Sequence, residues 1–149
     1  MLHNLALSAT MVCFTVVVHF TGLLLLLRLL RHRAYRFHTQ ESVVGQGALI
    51  VSVVIGIFII HAIEIWSYAA VFDIIGAIKD FEQSLYFSTV NFTTLGYGDI
   101  TLSREWRLFA AIEGANGLVL IGWSTAFLMS VTSRMRTLEH DWPERGESL

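Results

Sequence analysis

Between two long apolar stretches lies the segment Thr93-Thr94-Leu95-Gly96-Tyr97-Gly98-Asp99, whose paired glycines and lone aromatic suit neither a membrane helix nor a lipid-facing loop. Backbone polar groups cannot be left bare to hydrocarbon, so irregular chain at that depth must line a water-filled path. Gly96 and Gly98 accept positive φ without a Cβ clash, which lets successive carbonyls turn toward one axis.

The flanks extend the pattern. Phe81-Glu82-Gln83-Ser84-Leu85-Tyr86-Phe87-Ser88-Thr89-Val90-Asn91-Phe92 precedes the segment, and Trp106-Arg107-Leu108 opens a long apolar run to Ser130. With these flanks, Thr94–Asp99 resembles the selectivity filter of potassium channels, preceded by the pore helix and followed by the inner helix of that family. The resemblance covers about residues 47–132. It implies potassium ions held at Thr94, Leu95, Gly96, Tyr97 and Gly98, where carbonyl rings replace the ion's hydration shell. Thr94 would supply hydroxyl and carbonyl oxygen at the innermost site. The Tyr97 ring would point away from the axis and pack against the pore helix. Asp99 at the mouth would hydrogen-bond Tyr86. Leu95 replaces the commoner valine or isoleucine, which alters packing behind the filter and leaves the backbone oxygens in place. Two departures stand out: Ile100-Thr101-Leu102 lacks the proline that often follows the filter, and Val90 stands where some relatives carry glutamate.

Composition sets the class. With 54% hydrophobic and 15% charged residues, the chain is no ordinary soluble domain. A net charge of −2 points away from a nucleic-acid partner. Cys13 is the single cysteine, so no intrachain disulfide forms. One pore motif cannot close a carbonyl ring, so more than one chain is required, with membrane lipid around them. The family implies four copies, a homotetramer.

Three stretches are long enough to cross a bilayer as helices: Leu5–Leu30, Ala48–Phe72 and Arg107–Val131. The expected fold is all-α: a helix, re-entrant loop and helix forming the pore domain, preceded by one membrane helix. The domains read as 1–46, 47–132 and a short tail, 133–149. The first stretch is too long for a signal peptide, and its positive charge follows it, so it reads as a retained helix. Arg28, Arg31, Arg33 and Arg36 follow the first span, and Arg134, Arg136 and Arg145 the third; Lys79, Arg104 and Arg107 lie on the opposite side. This asymmetry puts the basic regions in the cytoplasm and the N-terminus outside, in a multi-pass cell-membrane protein. The arginine repeat breaks at Ala34 and sits at a helix end, so voltage gating is not expected.

A helix from Asp80 to Phe92 would be about 20 Å long, too short to cross. Asp80 and Glu82 suit its positive end, and the inward end would favour a cation. In the third span, Gly114, Gly117 and Gly122 permit close packing. By the resemblance, Gly117 falls at a hinge, while Leu118, Ile121, Thr125 and Met129 line the cavity and gate. His61 and Glu64 on the second span, with Glu113 and Asn116 on the third, predict one polar cluster behind the pore helix, near Asn91. Such a cluster reads first as a structural hydrogen-bond network, and alternatively as a device that couples external pH to the filter. His19 reads as a hydrogen-bonded packing residue, not a sensor. The resulting reading is passive potassium conduction, with no enzyme motif and no cofactor beyond the permeant ion. The alternative is a regulatory subunit that assembles with other channel chains without conducting. The tail from His140-Asp141-Trp142-Pro143 is too short for a nucleotide- or calcium-binding domain.

Overall fold

The computed structural model describes the backbone of residues 2–37 and 43–140, with side chains over 2–32 and 44–133. Four helices follow in order: α1 (Leu2–Phe37), α2 (Val43–Ile74), α3 (Phe81–Phe92) and α4 (Arg107–His140). Leu2–His32, Val44–Ile74 and Arg107–Ser133 are each long and apolar enough to cross a membrane. At 1.5 Å per residue they exceed a hydrocarbon core of about 30 Å, so they tilt or project beyond it. The helices therefore outrun the expected spans, and Arg28 and Arg31 ride on the end of α1 instead of in a loop. Arg145 and Asp141–Pro143 lie outside the described residues, as do the side chains of Arg33, Arg36, Arg134, Arg136 and His140.

Each break has a local cause. After α2, Gly76 turns at φ 67°, and the Ala77 N–H donates back to the Phe72 carbonyl at 3.0 Å. Asp80 then caps α3, its extended backbone (φ −138°) letting the carboxylate accept from the Gln83 N–H at 3.2 Å. α3 is wedged between α2 and α4, and α1 packs against both of those helices.

Burial divides along the bundle. Toward the α3 end the core is aromatic: Tyr68, Phe72, Phe92 and Phe109 are fully buried. Phe72 meets Phe87 of α3 edge-on at 5.2 Å and Phe109 of α4 at 5.1 Å, so one ring joins three elements. Toward the other end a smaller aliphatic cluster of Leu30, Leu49 and Val53 packs with Leu26, Phe127 and Leu128. Between them α1 and α2 approach closely. Ile60 lies over Gly22 and Leu26 over Gly56, where an added Cβ would come within 2.7 and 2.6 Å of those side chains.

Because Phe72 ties α2 to both α3 and α4, Phe72→Ala should lower stability by about 3–5 kcal/mol. A thermal or denaturant melt of the purified protein in detergent checks this.

Candidate functional site

α3 has 12 residues, enough for about 18 Å, and so enters the bundle without crossing it. Its last residue, Phe92, is fully buried against the middle of α4. A Cβ on Gly117 would lie 2.2 Å from the Phe92 carbonyl oxygen, and one on Gly114 would lie 3.3 Å from that of Asn91. Gly114 and Gly117 of α4 are thus the seat of the α3 terminus. At Gly117, expected to serve as a hinge or as a close-packing position, α4 runs uninterrupted from Arg107 to His140 and the missing side chain makes room for another backbone.

From that seat the chain returns as an extended ribbon. Positive φ recurs at every second residue: Thr94 at 60°, Gly96 at 58° and Gly98 at 77°. For the glycines this costs little; for the β-branched Thr94 it is a strained state that its surroundings must enforce. The enforcement is visible in the amides. The Thr94 N–H donates to the Asn91 carbonyl at 3.0 Å, and the N–H groups of Leu95 and Gly96 both donate to the Val90 carbonyl, at 2.9 and 3.3 Å. In a planar trans peptide the carbonyl points opposite to the N–H. The carbonyls of Thr93, Thr94 and Leu95 therefore all turn away from α3, onto the side where Thr94 to Asp99 are exposed. Thr93 was not expected to take part. Its hydroxyl donates to the Thr89 carbonyl at 2.7 Å, and its own carbonyl is in line with the next two because the Thr94 N–H points to Asn91.

Behind the ribbon, Phe87, Val90, Asn91 and Ile100 help to line a cavity of about 160 Å³. At its outer end the Tyr86 hydroxyl donates to Asp99 Oδ2 at 2.7 Å, closing the ribbon onto α3. That bond holds the Asp99 carboxyl below its ordinary range, helped by the backbone N–H groups of Asp99 and Ile100, and raises the Tyr86 phenol. The expected packing of Tyr97 on the pore helix is not made within the chain: the ring is 68% exposed. Leu118, Thr125 and Met129 lie on an exposed face of α4, and the Thr125 hydroxyl donates to its own helix at Ile121.

The single polar cluster expected from His61, Glu64, Glu113 and Asn116 is corrected to three separate fastenings. Glu113, fully buried, accepts from the Ser88 hydroxyl at 2.5 Å and the Asn91 amide at 2.6 Å, pinning α3 to α4. The Asn116 amide donates to Thr15 of α1 at 2.8 Å and to the Tyr68 hydroxyl of α2 at 3.3 Å. Glu64 turns the other way, to His19 of α1 and to His61. The reason is angular: i,i+3 spacing puts two residues on one face of a helix but does not say which neighbour that face meets. His19, expected as a hydrogen-bonded packing residue, is fully buried and bonded to Glu64.

A short helix seated halfway into a membrane bundle, followed by a ribbon with aligned carbonyls, is a pore-loop arrangement. A family model described as an ion channel matches residues 48–134, more than half of the chain. The chain belongs to this ion channel family. The match takes in α2, α3, the ribbon and most of α4, and starts after α1. No curated protein and no solved structure matches the chain. The channel chain is a multi-pass membrane protein with three candidate spans, and its helices contact lipid.

Two predictions follow from this geometry. Gly117→Ala places a methyl group against a backbone carbonyl and should destabilise the channel by about 1–3 kcal/mol. Gly122→Ala, with nothing within 4 Å of the added atom, should be neutral or stabilising. Melts of the two variants side by side check the contrast; equal effects would refute the seating of α3 on Gly117. The second concerns pH. The Asp99 carboxyl is lowered, so its contribution is present above the ordinary carboxylate pKa and is lost as acid carries pH through the lowered value. The Tyr86 phenol is raised, so its donor survives alkali beyond the ordinary tyrosine range, about pH 10. The absorbance step missing in Tyr86→Phe should therefore lie at higher pH than that of free tyrosine.

Proposed function

We propose that this ion channel chain is one subunit of a potassium-selective homotetramer, with Thr94, Leu95, Gly96, Tyr97 and Gly98 holding dehydrated potassium ions in single file. The observation that carries the reading is the ribbon itself: alternate positive φ, amide N–H groups tied back to α3, and successive carbonyls turned to the open side. A cation sheds water only where oxygens at comparable distance replace it, and one ribbon offers them from one side alone. Copies around an axis supply the rest, and fourfold assembly accords with the resemblance of Thr94–Asp99 to potassium-channel filters. The same assembly gives the exposed Tyr97 ring a partner in a neighbouring subunit. Tyr86 and Asp99 brace the ribbon at its outer end, and Thr125 and Met129 line the inner path, with Met129 as an apolar constriction that gates by dewetting. The arginines beyond the first and third spans put the C-terminus in the cytoplasm and the N-terminus outside.

The chain reconstituted in a planar bilayer under opposed potassium and sodium gradients should pass current that reverses near the potassium equilibrium potential. Gly96→Ala tests the ribbon directly. An added Cβ there meets nothing within 4 Å, so the penalty is conformational, about 1–2 kcal/mol for an L-residue at φ 58°. Selectivity should fall, moving the reversal potential toward zero. A wild-type reversal at zero would refute potassium selectivity.

A further inference from the structure

Glu64 is fully buried in the membrane-spanning part of α2, and both of its carboxylate oxygens are engaged. Oε1 meets His19 Nδ1 at 2.9 Å, and Oε2 meets His61 Nδ1 at 2.8 Å. The remaining nitrogens of both imidazoles face one atom on α4, the Ser124 hydroxyl oxygen, at 3.4 Å from His19 and 3.1 Å from His61. Four side chains from α1, α2 and α4 thus close a ring of four contacts: Glu64, His19, Ser124, His61 and back to Glu64.

Proton arithmetic decides what such a ring holds. Each contact needs one hydrogen between its two heavy atoms. A neutral imidazole brings one N–H, a hydroxyl brings one O–H, and a carboxylate brings none. Two neutral histidines, Ser124 and ionised Glu64 therefore supply three hydrogens for four contacts, with net charge −1 and one pair of acceptors face to face. One additional proton fills the fourth contact and brings the net charge to zero. A fifth would set two donors against each other at charge +1. In a low-dielectric interior the neutral, fully bonded state is strongly preferred. A divalent cation on the same side chains would leave a net positive charge beside Phe92 and Trp123, whose rings lie against His61 and His19. Contacts of 2.8–2.9 Å to the carboxylate are also those of proton-bridged pairs.

The geometry points to a buried site for one exchangeable proton, whose loss in alkaline solution unties α4 from α1. The contacts to Glu64 are charge-assisted and short, so the contact surrendered is one at Ser124, and the longest is that to His19. A mostly apolar cavity of about 500 Å³ reaches the ring at His61 and Ser124. The ionisable group nearest the ring from packed elements is Tyr68 on α2, with Glu113 on α4 beyond it. Tyr68 is engaged by Asn116, and Glu113 by Ser88 and Asn91. From α3 the ring meets Phe92. Thr125, next to Ser124, lies on the exposed α4 face assigned to the conduction path, so the proton count would bear on conduction. That last step rests on the channel reading; the count itself does not.

The test uses Glu64→Gln. A glutamine amide accepts from one Nδ1–H and donates to the other Nδ1, so all four contacts close with both imidazoles neutral and no extra proton. The variant should fold, and ¹⁵N spectra of histidine-labelled chain in lipid nanodiscs read the difference. At neutral pH the wild type should carry one more proton over His19 and His61 than the variant, and both rings should change together in a single alkaline step. Glu64→Gln should show one Nδ1–H and one Nε2–H tautomer with no step. Identical neutral rings in both proteins, two independent steps, or one equivalent of bound zinc in the purified wild type would overturn the proposal. In bilayers, wild-type current should follow the same step between about pH 5 and about pH 9, while the variant stays flat. An unchanged pH response in a conducting Glu64→Gln channel would sink the regulatory role. A correct spectrum from a chain that carries no current would instead leave the proton site intact and count against the channel reading.

Discussion

The carbonyl of Phe92 occupies the space that a side chain on Gly117 would fill, and the site is hung from that contact. α3 is too short to find its own depth in a membrane. Its level is set by where its last turn can approach α4, and only small residues on α4 allow the backbones so close. Once Phe92 is seated, the carbonyls of Val90 and Asn91 take up the amides of Thr94, Leu95 and Gly96. Those three bonds turn the following carbonyls to one side and hold Thr94 at a φ that a threonine does not adopt unaided. A shift of α3 along α4 would displace acceptors and ribbon together.

In a bundle surrounded by lipid, apolar contact between helices is no better than contact with acyl chains, so specificity falls to close packing and hydrogen bonds. The chain shows both. Gly22 and Gly56 bring α1 and α2 together, and three polar fastenings fix rotation and register: Glu113 to α3, Asn116 to α1 and α2, and Glu64 to His19 and His61. In the Glu113 fastening every donor has an acceptor, although Ser88 has one hydrogen for Glu113 and the Ile65 carbonyl alike. These bonds also explain α1. It lies outside the matched channel region, yet Asn4, Thr15 and His19 connect it to the loop before α4, to α4 itself and to α2. It is a bonded part of the bundle, not a loose anchor.

The ribbon is poorly covered within the chain. Leu95 is 57% and Tyr97 68% exposed, while Val90 and Phe92 at the end of α3 are buried. Under the proposed assembly, a second copy of the same surface would supply oxygens on the remaining sides and a support for Tyr97.

Much of this was legible in the residues. The three spans follow from apolar length, and α3 from an acidic cap followed by a stretch too short to cross. The turns at Gly96 and Gly98 follow from the one residue type that takes positive φ freely. The Tyr86–Asp99 pair was legible only through the family resemblance. What sequence could not supply is direction. Spacing put His61 with Glu64 and Glu113 with Asn116, but whether each faced α1, α3 or the other pair depends on how the helices rotate about their axes when packed. That rotation sent Glu64 to His19 and Glu113 to Asn91. The strain at Thr94 and the work of Gly117 were hidden for the same reason: both are imposed by a backbone from elsewhere in the chain. The sequence by itself determined which segments enter the membrane and which must break there, because those depend on hydrophobicity and local φ. The tertiary structure alone decided which buried polar groups meet, because that depends on helix rotation and depth, which no single segment encodes.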